Sequence, residues 1–169
     1  MTRAKLSSLL VGLLLAFPAT AGASTLLRLN GIGPLKLGMK QSAAVSTGWL
    51  GHRAKGCELA SPRPVTFTFT GPNAPANVRG LVQFQNRKLT SISTRHGVHT
   101  ATGVTVGTTT SSQMVTDYTN AGFTASAAFN PTFGGTFTTV KRNGKAVIQG
   151  FGTHQKVTLL AIPAVQVCD

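Results

Sequence analysis

Apolar and polar residues alternate along much of this chain. Val65, Phe67 and Phe69 are interleaved with Thr66, Thr68 and Thr70, the two-residue period of a strand with one buried and one wet face. Runs of similar character follow at 81–85 and 89–94, and again at 123–129, 136–141, 145–151 and 157–162. In the first of the later runs Phe123, Ala125, Ala127 and Phe129 share a face. Asn143-Gly144 separates two runs and accepts positive φ at both positions, which predicts a two-residue hairpin. Gly71 to Asn77 reads as a surface loop. Short connections between successive strands imply antiparallel pairing.

Two stretches change to helical spacing. Thr110-Ser111-Ser112-Gln113 fits a capping box, Met114, Val115, Tyr118 and Ala121 follow at helical intervals, and Gly122 can end the helix in a left-handed conformation. A shorter helix is predicted over Gln41 to Thr47, with Gly48 and Gly51 near its end. The two helical stretches belong to a faint repeat with an offset of 69 residues. Leu35-Lys36-Leu37-Gly38 and Val104-Thr105-Val106-Gly107 open the copies, and Trp49 and Tyr118 each fall eleven residues after the glycine. The expected organisation is a helix and antiparallel strands over 24–98, then the same over 99–169: an α+β, strand-rich chain of two helix-plus-sheet repeats. Trp49 and Tyr118 are expected in the core, as are Phe67, Phe69, Phe84, Phe137 and Phe151.

The N-terminus has a different character. Arg3 and Lys5 precede an apolar run from Leu6 to Phe17, and the small-residue stretch Ala19 to Ser24 follows Pro18. Positive start, short apolar middle and an A-x-A exit are the parts of a secretory signal peptide, 1–23, cleaved after Ala23 or, as second choice, after Ala21. The other reading is an uncleaved anchor. After cleavage no span is expected, and the mature chain should be extracellular. It would carry 14 cations against 3 acids, about +11. Such a field attracts polyanions and weakens with salt.

Cys57 and Cys168 are the two cysteines. In an oxidising compartment a disulfide is the simplest reading, with two free thiols or an intermolecular bridge as alternatives. Glu58 and Asp117 are the internal acids, too few for paired-carboxylate catalysis. His96 and His99 lie three apart, with His52 and His154 elsewhere, which is short of the three or four matched ligands a zinc site needs. Gly31-Ile32-Gly33 lacks the third glycine of a dinucleotide fingerprint. No catalytic, cofactor or metal site is assigned. The cations are more informative. Arg87 and Lys88 fall at one predicted turn, Lys141, Arg142 and Lys145 flank Asn143-Gly144, and Lys156 lies at the next turn, while Arg53, Lys55 and Arg63 surround Cys57 in a loop. One reading is that they guard strand ends against aggregation. The other is an anion-binding rim of Arg87, Lys88, Lys141, Arg142, Lys145 and Lys156. No aromatic is interleaved with them, so a stacking platform for nucleic acid is not supported.

The segment Ile32-Gly33-Pro34-Leu35-Lys36-Leu37-Gly38-Met39, followed by a helix and strands, resembles the opening of each repeat in the β-lactamase inhibitor protein-like superfamily. It also looks like segments of small secreted actinobacterial proteins. The resemblance implies a tandem helix-plus-sheet fold and a non-catalytic, protein-binding style of function. Two departures stand out. The members have disulfides inside each repeat, whereas Cys57–Cys168 would join the halves. The loop Gly71 to Asn77 has no acid where the inhibitors use an acidic residue. The expected protein is thus a secreted, basic, non-enzymatic monomer whose partner is an acidic protein or an anionic cell-envelope polymer, with no cofactor. The alternative is a small secreted hydrolase using a Ser or Cys with one of its histidines.

Overall fold

A computed structural model describes residues 24–57 and 62–166. The expected signal segment, Glu58 and Cys168 lie outside the described residues, and so does one end of the expected disulfide.

The chain is α+β and strand-rich. Its elements are β1 (Thr25–Arg28), β2 (Gly31–Ile32), β3 (Leu35–Lys36), α1 (Gln41–Ser46), β4 (Arg53–Lys55), β5 (Val65–Thr68), β6 (Arg79–Gln85), β7 (Lys88–His96), β8 (Val98–Thr100), α2 (Ser111–Asn120), β9 (Thr124–Asn130), β10 (Gly135–Arg142), β11 (Lys145–Thr153) and β12 (Lys156–Ile162). A small sheet has the order β3-β2-β1-β8, and an antiparallel sheet of eight strands has the order β4-β5-β6-β7-β12-β11-β10-β9.

Cross-strand partners share a face, so the register sorts the large sheet into two surfaces. On one face Phe67 pairs with Val82, Val82 with Ile92, Ile92 with Ile162, and Val140 with Ile148. These six are buried. Met114 of α2 packs on the same face: a Cβ at Gly150 would stand 2.8 Å from its sulfur. The absent side chain at Gly150 is what lets α2 sit so close. On the other face a row with no charged residue crosses seven strands, through Thr68, Leu81, Ser93, Ala161, Gln149, Thr139 and Ser126.

The helix boundaries follow local chemistry. The Thr110 hydroxyl accepts from the Gln113 amide at 3.1 Å, the expected N-cap, and Gly122 ends the helix at φ +82°. Asn143 and Gly144 have φ of +52° and +75°, as their hairpin requires. Tyr118 is buried, and Trp49 is half-buried with its ring against Gly33.

Three expectations are corrected. Arg53 and Lys55 belong to the edge strand β4 and not to a loop, because β5 offers its free side to them: Arg53 pairs with Phe67 and Lys55 with Val65. Phe137 and Phe151 are half-buried on the face away from the helices, where they stack at 4.8 Å, with Phe133 5.9 Å from Phe137. Lys88 and Lys156 stand in strands, at the first positions of β7 and β12, and not in the turns themselves.

Candidate functional site: a cation-lined groove

The β6–β7 hairpin has φ of +50° at Asn86 and +59° at Arg87, the paired left-handed geometry of a tight two-residue turn. That hairpin anchors the start of α1. The Gly38 amide donates to Leu89 O at 2.7 Å, Leu89 N to Met39 O at 2.9 Å, and Gln41 N to Arg87 O at 2.8 Å. The ladder sets Lys40 directly across from Lys88. Like charges opposed across a ladder repel.

The space between α1 and the sheet is an open groove of about 1040 Å3. Val65 and Phe84, cross-strand partners, supply apolar lining, with Val45 of α1, which is 42% exposed. Lys40, Arg87, Lys88, Arg53 and Arg63 also line it. Arg63 Nε donates to Gly56 O at 3.3 Å. Among the described residues no carboxylate lines the groove, and the one acid within those residues, Asp117, lies in α2, where it accepts from Gln113 Nε2 at 2.7 Å. The guanidinium and ammonium groups of Lys40, Arg53, Arg87 and Lys88 around an apolar floor can hold an anionic ligand that has an apolar body.

The sheet topology extends the picture. Antiparallel order puts the β6–β7 and β10–β11 hairpins and the β4–β5 connection at one end of the large sheet. Arg87 and Lys88 therefore share an end with Lys141, Arg142 and Lys145, two hairpins whose centres are about 14 Å apart at normal strand spacing. The Arg142 guanidinium lies 5.1 Å from the centre of the Phe123 ring, a cation–π contact. Lys156 begins β12 at the opposite end, beside the N-cap Thr110. Of the six sequence-predicted rim residues, five are thus brought to one end, two of them line the groove, and Lys156 is separated from the rest. Sequence reasoning missed Lys40 as a site residue. Nothing along the chain marks it, since its role comes from a bridge to a strand 48 positions away.

Catalytic and metal candidates are dispersed. His52 is exposed before β4, and His154 is exposed in the β11–β12 turn. A His96 ring nitrogen lies 3.0 Å from Asn77 O, and His99 Nδ1 lies 2.8 Å from Ser24 Oγ. Among the described residues no three His, Cys, Asp or Glu side chains gather as metal ligands. Cys57 is half-buried just past β4. A smaller apolar cavity of about 310 Å3 lies between β1 and α2, lined by Leu26, Leu29, Tyr118 and Phe123 among others. Burial pushes the Tyr118 phenol above its ordinary range, against the opposing pull of the Thr100 and Thr102 hydroxyls. Among the described residues no helix is long and apolar enough to cross a membrane. In comparison with known proteins, the chain matches no family model, no curated protein and no solved structure.

Proposed function

We propose that this chain is a secreted, basic, non-enzymatic binding protein that uses the cation-lined groove to grip an acidic protein surface or an anionic cell-envelope polymer. The observation that carries the reading is the gathering of Lys40, Arg53, Arg87 and Lys88 around one groove, with no carboxylate among its described lining residues. Repulsion within such a set is relieved when an anion enters, so binding and charge arrangement favour each other.

The scaffold in this proposal is two copies of one helix-on-sheet unit, α1 with β4–β7 and α2 with β9–β12. The strand order of the large sheet supports it, because it runs through the two sets in the same sequence from each edge inward. Matched backbone bonds support it as well. Gly38 N to Leu89 O at 2.7 Å has a counterpart in Gly107 N to Val157 O at 2.8 Å. Gln41 N to Arg87 O corresponds to Ser111 N to Gln155 O, and Leu89 N to Met39 O corresponds to Val157 N to Thr109 O. Asn86 and Arg87 correspond to His154 and Gln155, all four at positive φ. Kinship with the β-lactamase inhibitor protein-like superfamily stays part of the proposal, on the resemblance of the segment 32–39. The signal peptide and the Cys57–Cys168 bridge remain part of the proposal. The described chain leaves β12 at the end of the sheet where Cys57 lies.

The test uses the mature chain with purified anionic wall polymer and with an acidic protein. Retention should fall steeply between low and moderate salt. The double variant Arg87→Glu, Lys88→Glu should weaken it at least about tenfold, the scale of removing two charge-assisted hydrogen bonds. Lys156→Glu, with a smaller charge change at the far end, should leave it nearly intact. Equal sensitivity per charge at both ends would mean diffuse attraction and would sink the groove as the site.

A small Ser-dependent hydrolase is the second reading, favoured by the Ser24–His99 contact of 2.8 Å. No carboxylate backs that imidazole among the described residues. Native labelling of Ser24 by a serine-directed reagent, lost in His99→Ala, would favour it over the binding reading.

A further inference from the structure

The two edges of the large sheet are finished in different ways. One edge, β4, is three residues long and carries Arg53 and Lys55. Short length and cations are how natural sheets block edge-to-edge pairing. The other edge, β9, runs for seven residues, Thr-Ala-Ser-Ala-Ala-Phe-Asn, with no charge, proline or glycine. Its register with β10 is unbroken from Thr124 to Asn130, and among the described strands it pairs with β10 alone. Five of the seven residues are exposed, and Phe129 is 66% exposed. Alternate N–H and C=O groups of such a strand face outward, ready to pair with another chain.

We propose that β9 pairs antiparallel with β9 of a second copy of this chain, about a twofold axis through Ala127. The sequence is self-complementary in that register. Ala127 faces itself, Ser126 faces Ala128, Thr124 faces Asn130, and each Phe129 faces Ala125 of the other copy. The two phenylalanines fall on the same side of the joined sheet, each over small alanine side chains that leave room for it. Burying both rings removes the largest exposed apolar side chain of each copy from water. Charge is also placed for self-association. Lys141 pairs with Thr124 at one end of β9, so the twofold sends the two Lys141 residues to opposite ends of the junction. They stand about 20 Å apart along the strands, more than two Debye lengths at physiological salt. A foreign strand would need none of this self-matching. Such a dimer replaces the monomer expected from sequence and does not depend on the groove.

The experiment is sedimentation velocity of the mature chain from about 1 to about 200 μM, at moderate and at high salt. A concentration-dependent dimer is expected. Added salt should leave it intact or strengthen it, because salt screens the repulsion between two copies of about +11. That response is opposite to the one expected for groove binding. Ala127→Lys puts two like charges face to face at the axis and should raise the dissociation constant about tenfold. Its circular dichroism should be unchanged, since Ala127 is exposed. Oxidation of Ala127→Cys should give a covalent dimer on a non-reducing gel that the wild type and a Thr116→Cys control lack. A chain that stays monomeric throughout overturns the proposal. So does an Ala127→Lys variant that dimerises as well as wild type.

Discussion

Alanine at Gly38 and at Gly107 gives the cleanest measure of whether the two halves share one frame. Both glycines stand at positive φ, +81° and +86°, and a Cβ built on either meets nothing within 4 Å. Sterics with neighbours therefore contribute nothing, and the substitution is felt through the backbone alone. Holding a residue with a Cβ in the left-handed region costs about 1–2 kcal/mol. The less flexible unfolded chain returns about 0.4–1 kcal/mol of that. Each variant should be destabilised by about 1 kcal/mol, a fall of roughly 2–5 °C in Tm for a domain of this size. Gly38 is bonded beside the start of β7 and Gly107 beside the start of β12, at opposite ends of the sheet. That separation, about 25 Å along the strands, predicts additive effects in the double variant. Urea and thermal unfolding of the mature chain by circular dichroism would supply the values. Gly150→Ala is the contrast, since its Cβ would meet the Met114 sulfur at 2.8 Å and Val157 Cγ1 at 3.2 Å, so packing enters. If Gly38→Ala and Gly107→Ala differ by more than about 1 kcal/mol, or if either is neutral, the shared-frame reasoning is wrong.

Three further outcomes follow from the packing. Thr138 is fully buried and its hydroxyl has no hydrogen-bond partner among the described residues, so Thr138→Val should be neutral or stabilising by up to about 1 kcal/mol in urea unfolding. Met114 is fully buried against Gly150, which has no side chain of its own to fill a void, so Met114→Ala should cost about 2–5 kcal/mol by the same measure. Tyr118 has a raised folded pKa, so its contribution is complete below the unfolded value of 10.0 and is lost as pH climbs past it. Stability should fall on the alkaline side, and Tyr118→Phe should flatten that slope in melts taken from pH 8 to about 11.

Long strands and the second helix were legible because each carries its own signal. Phe67 and Phe69 are buried where alternation puts them, and Thr110 caps α2 through the expected hydroxyl. The short strands carry no such signal. Arg53–Lys55 is three exposed residues with no apolar alternation, and β5 alone makes it a strand. β2 and β3 have two residues each, too few for any period. Phe137 and Phe151 were misplaced because a two-residue period separates two faces without saying which one is covered. On β10 the helix-facing positions are Thr138 and Val140, fixed by α2 and by Ile148 across the ladder. The groove was half legible. Arg87 and Lys88 are adjacent in sequence, but their convergence with Lys40, Arg53 and Arg63 depends on a tertiary ladder.

Where the proposed copies differ is where function should be sought. The backbone bonds that fasten α1 to the β6–β7 hairpin are matched at α2 and the β11–β12 hairpin, so the frame itself makes no demand for cations. Yet Lys40 and Arg87 in the first half stand where the second has Thr110 and Gln155. Solubility and guarding of strand ends would be served by cations anywhere, and best by dispersing them. Each pair of unit charges brought to about 4 Å costs about 1 kcal/mol even in water, and more near a protein surface. Concentrating Lys40, Arg53, Arg87 and Lys88 around one groove, with Lys40 and Lys88 set across from each other, runs against that preference. Edge protection accounts for Arg53 on β4 but not for Lys40, Arg87 and Lys88, and β9, the edge in greatest need of a charge, has none. An anion bound at the first-half groove would remove the repulsion, and a paired β9 would remove the exposed edge. The proposed anion and the proposed second copy would each account for one departure from an evenly charged, self-guarding monomer.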